Sequence, residues 1–257
     1  MKMLRNRYLQ ISFALIALVF LLQVTPALAD SNPNPGVLPP QSHPHGRTYG
    51  EWSNAWWQWA LSIPTKNNPL LDTTGADCGQ GQSGHVWFLA GTFGSGTATR
   101  SCTIPTGTML FIPIVNLSYN NIGDTTPGSL CPPTHFTESQ LRQTLDRFIQ
   151  SVTTLEADVD GVNIQNLQDY RAGSNNPTFS ITLPSDNIYN FLGCTIPAGT
   201  YDTQPTVSDG YYLMLAPLKP GTHTIHFQGA TSAVAPTPSL PGISAITTEV
   251  TYDLTVK

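Results

Sequence analysis

Thr48-Tyr49-Gly50-Glu51-Trp52-Ser53-Asn54-Ala55-Trp56-Trp57-Gln58-Trp59-Ala60-Leu61-Ser62-Ile63-Pro64 places four of the chain's five tryptophans within one helical pattern. Thr48 followed three residues later by Glu51 has the form of a capping box, which starts a helix. Pro64 ends it, because proline lacks the N–H and disfavours helix at the residue before it. At 100° per residue, Tyr49, Trp52, Trp56, Trp59, Ala60 and Ile63 share one face, while Trp57 and Leu61 point away from it. So much aromatic surface on one helix anchors a core, and β-sheet is expected to be built against it.

Working outward, Val86–Phe93 and Thr108–Val115 are nearly continuous apolar runs of strand length. Such runs are expected of strands covered on both faces, and this pair is the natural seat for the tryptophan helix. Pro113 within the second run marks an edge or a bulge. A second helix begins with the capping pattern Thr137-Glu-Ser-Gln140. Leu141, Leu145, Phe148, Ile149 and Val152 recur at helical spacing, while Arg142, Asp146 and Arg147 fall on the solvated side. From residue 155 the period becomes alternating. Leu155–Val159 and Val162–Ile164 flank Asp160-Gly161, a favoured hairpin turn. Further strands are predicted at Thr178–Leu183, Tyr211–Ala216, Thr224–Gln228 and Val250–Val256, with a long polar loop running to Asp209-Gly210. The fold class is therefore mainly β with two packed α-helices. It is expected to be a β-sandwich with an immunoglobulin-like C-terminal half and the tryptophan helix on the sheet.

The first residues have the form of an export signal. Lys2, Arg5 and Arg7 precede the apolar run Ile11–Leu22 and then Ala27-Leu28-Ala29, so residues 1–29 read as a signal peptide cut after Ala29. The apolar run is shorter than the roughly 20 residues a membrane span needs. A secreted or periplasmic protein, not transmembrane after cleavage, is expected. Residues 30–47 are expected to form a disordered Pro/Asn-rich leader, with too little apolar surface to fold alone. Residues 48–257 then make one β-rich domain, or two packed lobes at 48–136 and 137–257. Removing Lys2, Arg5 and Arg7 from the 11 basic residues leaves 8 against 16 acidic ones, a net charge of −8. That balance argues against nucleic acid and anionic membrane surfaces as partners.

Four cysteines in an exported chain imply disulfides. Pairing Cys78 with Cys102 and Cys131 with Cys194 is favoured, because the first pair brackets a plausible hairpin. No cysteine pair has the C-x-x-C spacing of a zinc site, and His43-Pro-His45 lacks a neighbouring carboxylate. Gly79-Gln-Gly-Gln-Ser-Gly84 matches G-x-G-x-x-G in letters but neither follows a strand nor opens a helix, as a dinucleotide fingerprint must. No metal or cofactor is expected. His223 is expected to share the inward face of its strand with Ile225 and Phe227.

Two readings of function remain. One is a non-enzymatic binding or structural module of the cell envelope, taking a glycan or another envelope component, with Trp57 as the side chain placed to stack on a sugar ring. The other is a secreted carbohydrate-active hydrolase that uses Glu51 with Asp72 or Asp77, since glycoside hydrolysis needs two carboxylates. Capping and turn roles account for the same three carboxylates. The segments Tyr49–Pro64, Gly81-Gln-Ser-Gly-His-Val-Trp-Phe-Leu-Ala-Gly-Thr92 and Pro217-Leu-Lys-Pro-Gly-Thr-His-Thr-Ile225 together resemble a group of exported bacterial proteins of uncharacterised activity. The resemblance runs through most of the chain after the signal and implies export and a shared fold. It carries over no catalytic residue.

Overall fold

The computed structural model describes residues 34, 36–124, 131, 133–173 and 175–257. The chain divides into Met1–Ser31 and one compact unit, Asn32–Lys257. The signal-peptide assignment and the first residues of the leader lie outside the described residues. Eleven strands and three α-helices make up the described part: β1 (Val37–Leu38), α1 (Tyr49–Ser62), β2 (Val86–Phe88), β3 (Gly96–Ile104), β4 (Met109–Tyr119), α2 (Glu138–Gln150), β5 (Val152–Val159), β6 (Val162–Asn163), β7 (Arg171–Ala172), β8 (Phe179–Leu183), α3 (Ile188–Phe191), β9 (Gly199–Leu215), β10 (Gly221–Thr231) and β11 (Thr247–Val256). Among the described residues the protein is mainly β, with two sheets and no closed barrel. One sheet has the order β1-β9-β4-β2, with β7 and β8 also paired to β9; the other has the order β3-β11-β10-β5-β6. Each sheet draws strands from both sides of residue 137, so the two halves interweave rather than stack as lobes. Among the described residues no helix is long and apolar enough to cross a membrane.

α1 starts and stops where its sequence dictates. Thr48 Oγ1 accepts from the Glu51 N–H, and Glu51 reaches back to the Thr48 N–H. Such a cap is worth about 0.5–2 kcal/mol. Burial contributes far more: four indoles at about 150–250 Å² each and ~25 cal/mol per Å² transfer on the order of 15–25 kcal/mol of apolar surface. The expectation of a single buried face is too modest, because Trp57 and Leu61 are also buried, at 8% and 2% exposure. Only Glu51, Ala55, Gln58 and Ser62 escape full burial, a single stripe at i, i+4, i+7 and i+11. Three indole N–H groups bind carbonyls in separate segments: Trp52 to Pro44 (3.0 Å), Trp56 to Leu89 (2.8 Å) and Trp59 to Gln80 (2.8 Å). Tyr49 packs edge-on to Phe111 of β4, and Phe111 stacks on Tyr212 of β9. The sheet is therefore built against the helix, as its sequence requires.

β4 is covered on both faces, since Leu110, Phe111, Ile112, Ile114 and Val115 are all exposed by 1% or less. Pro113 sits at a register shift against β9, the bulge expected of a proline in a strand. Where the two sheets cross, a Cβ on Gly229 of β10 would fall 2.0 Å from Val115 Cγ2, so glycine alone lets β10 pass. α2 lays Phe148 and Ile149 against Val115, and Leu141 and Leu145 against Val207 of β9. At Asp160-Gly161 both residues have positive φ, as the predicted hairpin turn requires.

Several elements differ from the sequence reading. Part of the leader is ordered: Val37 and Leu38 pair with Leu215 and Met214 as an added edge strand. β9 begins at Gly199, in a stretch read as polar loop, and Asp209-Gly210 lies inside it rather than at a turn. Gly210 is needed there because a Cβ would meet the Asn116 Cβ and the Val115 carbonyl, each at 2.7 Å. The alternation was hidden because this strand buries polar groups. Thr206, Ser208 and Asp209 are 0–1% exposed. Ser208 donates to Asn54 Oδ1 (2.8 Å), and Ser53 donates to Tyr212 Oη (2.9 Å). Asp209 takes two hydrogen bonds from the Arg171 guanidinium, which also reaches Asp146. Asp146 therefore belongs to a charged cluster and not merely to a solvated helix face. Arg147 likewise donates to the Ala235 and Pro241 carbonyls.

Cys78 is bonded to Cys102 and Cys131 to Cys194. The first pair does not bracket a hairpin, since β2 and β3 lie in different sheets. It ties the loop after α1 to the edge of the second sheet. In the chain-entropy account, cross-links at these separations of 24 and 63 residues each constrain the unfolded chain by about 3–4 kcal/mol.

The Asp209 carboxylate has no side-chain exposure, so removing its cation leaves a buried, unpaired charge. Arg171→Ala should lower the unfolding free energy by about 3–5 kcal/mol in urea titration. Asp146→Ala, at a half-exposed carboxylate, should cost less than about 1 kcal/mol.

Candidate functional site

Trp57 follows the fully buried Trp56 on α1 and meets it edge-on, ring centroids 5.0 Å apart. Its indole is therefore no open platform. Instead it walls a pocket of about 350 Å³ shared with Leu61, Phe93, Leu117, Ile122, Ile188 and Leu192. The size lies in the usual range of small-molecule sites, and apolar side chains dominate the wall. Cys131 and Tyr189 close one side, and Asn120 and Thr134 supply the polar groups. Asn120 Nδ2 donates to Tyr189 Oη at 3.2 Å, while Thr134 Oγ1 donates to Asn121 Oδ1 at 2.8 Å. Burial pushes the Tyr189 phenol up, against the Asn120 hydrogen bond.

Two large apolar side chains stand open here, Leu192 in the lining and Phe191 just before it. Phe191 is 61% exposed and Leu192 47%. Phe191 ends α3 and Leu192 is its C-cap; Asn187 and Asn190 form the helix's capping box, and the Cys131–Cys194 bond ties down the residues that follow. Phe191 also meets Phe93 edge-on at 6.1 Å.

A second, smaller cavity of about 120 Å³ shares Trp57, Phe93 and Leu117 with the first, and is lined further by Ile114, Val115, Phe148, Ile243 and Ile246. Asn116 also lines it. Trp57 Nε1 and Asn116 Nδ2 are buried and make no hydrogen bond of good geometry among the described residues. Both nonetheless act on Tyr212 Oη as hydrogen-bonding side chains. Burial drives that phenol well above its usual range, while Ser53, Asn116 and Trp57 pull it back. Two poorly aligned donors thus gather at Tyr212 beside the smaller cavity, where a fully unmade hydrogen bond would cost about 1–3 kcal/mol. The burial of Asn116 Nδ2 also leaves the Asn116-Leu-Ser118 triplet without an accessible amide.

The three candidate carboxylates lie elsewhere. Glu51, on the first turn of α1, is exposed and engaged with the Thr48 N–H (2.8 Å) and hydroxyl (3.0 Å). It borders an open cleft with Arg171, Asn175 and Asn176, where no second carboxylate is found among the described lining residues. Asp72 and Asp77 lie in the loop after α1. There Asp72 accepts from the Asp77 N–H (2.9 Å) and from Thr74, while Asn67 donates to Asp77. Hydrogen bonds from Thr48 hold Glu51 below the ordinary carboxylate range. Burial raises Asp72, but the hydrogen bonds from Asp77 and Thr74 and the charge of Arg100 outweigh it, leaving it lowered. A glycosidase acid needs the opposite shift. Behind this loop Arg100, 1% exposed, donates to the Asp72, Ala90 and Gly91 carbonyls and to Tyr252 Oη.

Sequence reasoning singled out Trp57 but not its neighbours. The apolar run Thr108–Val115 ends before the pocket, yet β4 extends to Tyr119. Phe191-Leu192 is an apolar pair beside a cysteine in a polar stretch, and that signal went unread. His223 sits on the face of Ile225 and Phe227 but is bound to Asp160 and the Lys219 carbonyl at the hairpin end. Comparison of the chain with known protein families, curated proteins and solved structures finds no match.

The lowered Asp72 carboxyl has a stability consequence. A folded-state pKa below the unfolded value of about 3.9 contributes stability above that pH, lost as pH falls through the folded value. Acid unfolding monitored by circular dichroism should therefore show a shallower loss below about pH 4 in Asp72→Asn than in the parent chain.

Proposed function

We propose that this chain is a non-catalytic ligand-binding module of the cell envelope, on a β-sandwich scaffold whose C-terminal half is of immunoglobulin type. Its ligand carries an elongated apolar body, such as a single acyl chain. The observation that carries this reading is the pair of apolar cavities around Trp57. Two neighbouring apolar spaces that share Trp57, Phe93 and Leu117 suit a chain better than a compact ring, and the poorly aligned donors of Trp57 and Asn116 offer a polar end beside the smaller one. The exposed Phe191 and Leu192 at the rim add apolar surface that a lone soluble domain rarely leaves open at a pocket mouth. A pre-formed pocket behind a disulfide-held rim limits the entropy lost on binding.

The same geometry moves the glycan reading away from Trp57, because sugar stacking requires an open indole face. Support for the hydrolase reading is thin. Glu51 and Asp72 are tied into a helix cap and a turn, and both are shifted away from the protonated form an acid catalyst needs.

The test is titration with a fluorescent fatty acid, dansyl-undecanoate. Saturable binding at micromolar concentration is expected, displaced by unlabelled fatty acids of similar length. Leu192→Asp, at a half-exposed rim position, should weaken binding about tenfold or more while the unfolding temperature stays within a few degrees. Failure of the probe to bind, or equal affinity in the rim variant, would reject the reading.

A further inference from the structure

The exposed stripe of α1 floors a second, separate groove of about 550 Å³, which shares no residue with the Trp57 pocket. Gln58 and Ser62 lie on its floor, His45 and Arg47 form one wall, and Ser83 and His85 the other. The walls are fixed by the helix itself. Trp52 Nε1 holds the Pro44 carbonyl and Trp59 Nε1 holds the Gln80 carbonyl, so each loop is pinned beside the groove by an indole. Across the top, His45 and His85 stack with centroids 5.2 Å apart and ring planes 16° from parallel. His45 holds this position with a left-handed backbone (φ 52°) that non-glycine residues seldom adopt.

The chemistry of the lining is one-sided. The Arg47 guanidinium lies 5.0 Å from the centre of the Trp52 ring and makes no hydrogen bond or ion pair among the described residues. Its donors are open, and stacking on the ring pre-organises the fork. No Asp or Glu lines the groove among the described residues. Glu51 is the carboxylate in electrostatic reach of Arg47 and of His43, and its Oε2 takes both hydrogen bonds of the helix cap. Gln58 and Ser62 donate to the Ser180 and Trp59 carbonyls and turn acceptor oxygens to the groove, so the open guanidinium of Arg47 is its cation, on a chain whose formal charge is −5. An anion is drawn to such a spot by local geometry, against the field of the whole protein.

We propose that this groove binds an acidic saccharide, with Arg47 taking a uronate carboxylate in its planar fork. His45 and His85 offer ring nitrogens to the same group, and Gln58, Ser62 and Ser83 meet neighbouring hydroxyls. Planar two-point recognition is what a guanidinium does best with a carboxylate. A volume of about 550 Å³ with both polar groups and the indoles of Trp52 and Trp59 in its lining suits a short oligosaccharide rather than a bare ion. This site is independent of the acyl-chain pocket.

Calorimetric titration of the purified protein with galacturonate, glucuronate and mannuronate trisaccharides tests the assignment, with their methyl esters as uncharged references. At least one acid form should bind about tenfold or more tighter than its ester, with affinity falling as salt is raised. Arg47→Gln should remove that preference with the unfolding temperature unchanged, because Arg47 is exposed, whereas Leu192→Asp should leave it intact. The proposal is overturned if none of the three acids binds, if ester and acid bind alike, or if Arg47→Gln binds as the parent does. It is equally overturned if inorganic sulfate displaces the sugar at matching concentration, which would mark a simple anion site.

Discussion

The indole N–H bonds of α1 are the constraint on which the architecture depends. A helix of 14 residues is marginal alone in water. Here it is wrapped on all sides but one narrow stripe, and its rings close hydrogen bonds to carbonyls at Pro44, Leu89 and Gln80. Those carbonyls belong to segments with little secondary structure of their own. Each would otherwise pass beneath or beside an aromatic cluster with an unsatisfied acceptor, so the helix supplies packing and polar satisfaction together. The surrounding loops are consequently positioned by the same side chains that fill the core.

A second layer of order comes from buried polarity between α1 and β9. Ser53 and Asn54 on the helix meet Ser208 and Tyr212 on the strand, and Asp209 extends the seam to Arg171 and Asp146. A seam of directional bonds fixes helix and strand in register more strictly than apolar contact does. It ends at Trp57 and Asn116, which act on Tyr212 Oη without good hydrogen-bond geometry. The polar network and the apolar cavities therefore meet at Trp57. The groove on the other side of Trp52 and Trp59 inherits its rigidity from the same helix.

How far the sequence revealed this follows from what each stretch buries. α1, α2, β4 and the β5–β6 turn were legible because caps, apolar periodicity, Pro113 and Asp160-Gly161 each leave a local mark. The first half of β9 was not legible, since Thr206, Ser208 and Asp209 look like loop residues until Asn54 and Arg171 are seen to answer them. β3, with the alternation Ala98, Arg100, Cys102 and Ile104 inward, was obscured by a buried arginine whose acceptors lie at residues 72, 90, 91 and 252. Of the pocket only Trp57 stood out, because its other walls come from four separate stretches of chain. The disulfide pairing was read correctly from a hairpin that does not exist; proximity of the α1 loop to β3 is the actual cause.

If the indoles of α1 anchor the fold, their N–H protons open only when the whole domain opens. Native-state hydrogen exchange followed by NMR measures this directly at the Trp56 Nε1–H, which is bound to the Leu89 carbonyl at 2.8 Å. The account predicts exchange as slow as that of the central β4 and β9 amides, with the same denaturant dependence, the mark of global unfolding. Rapid exchange of that proton while the sheet amides stay protected would show a helix that detaches on its own, and would contradict the account.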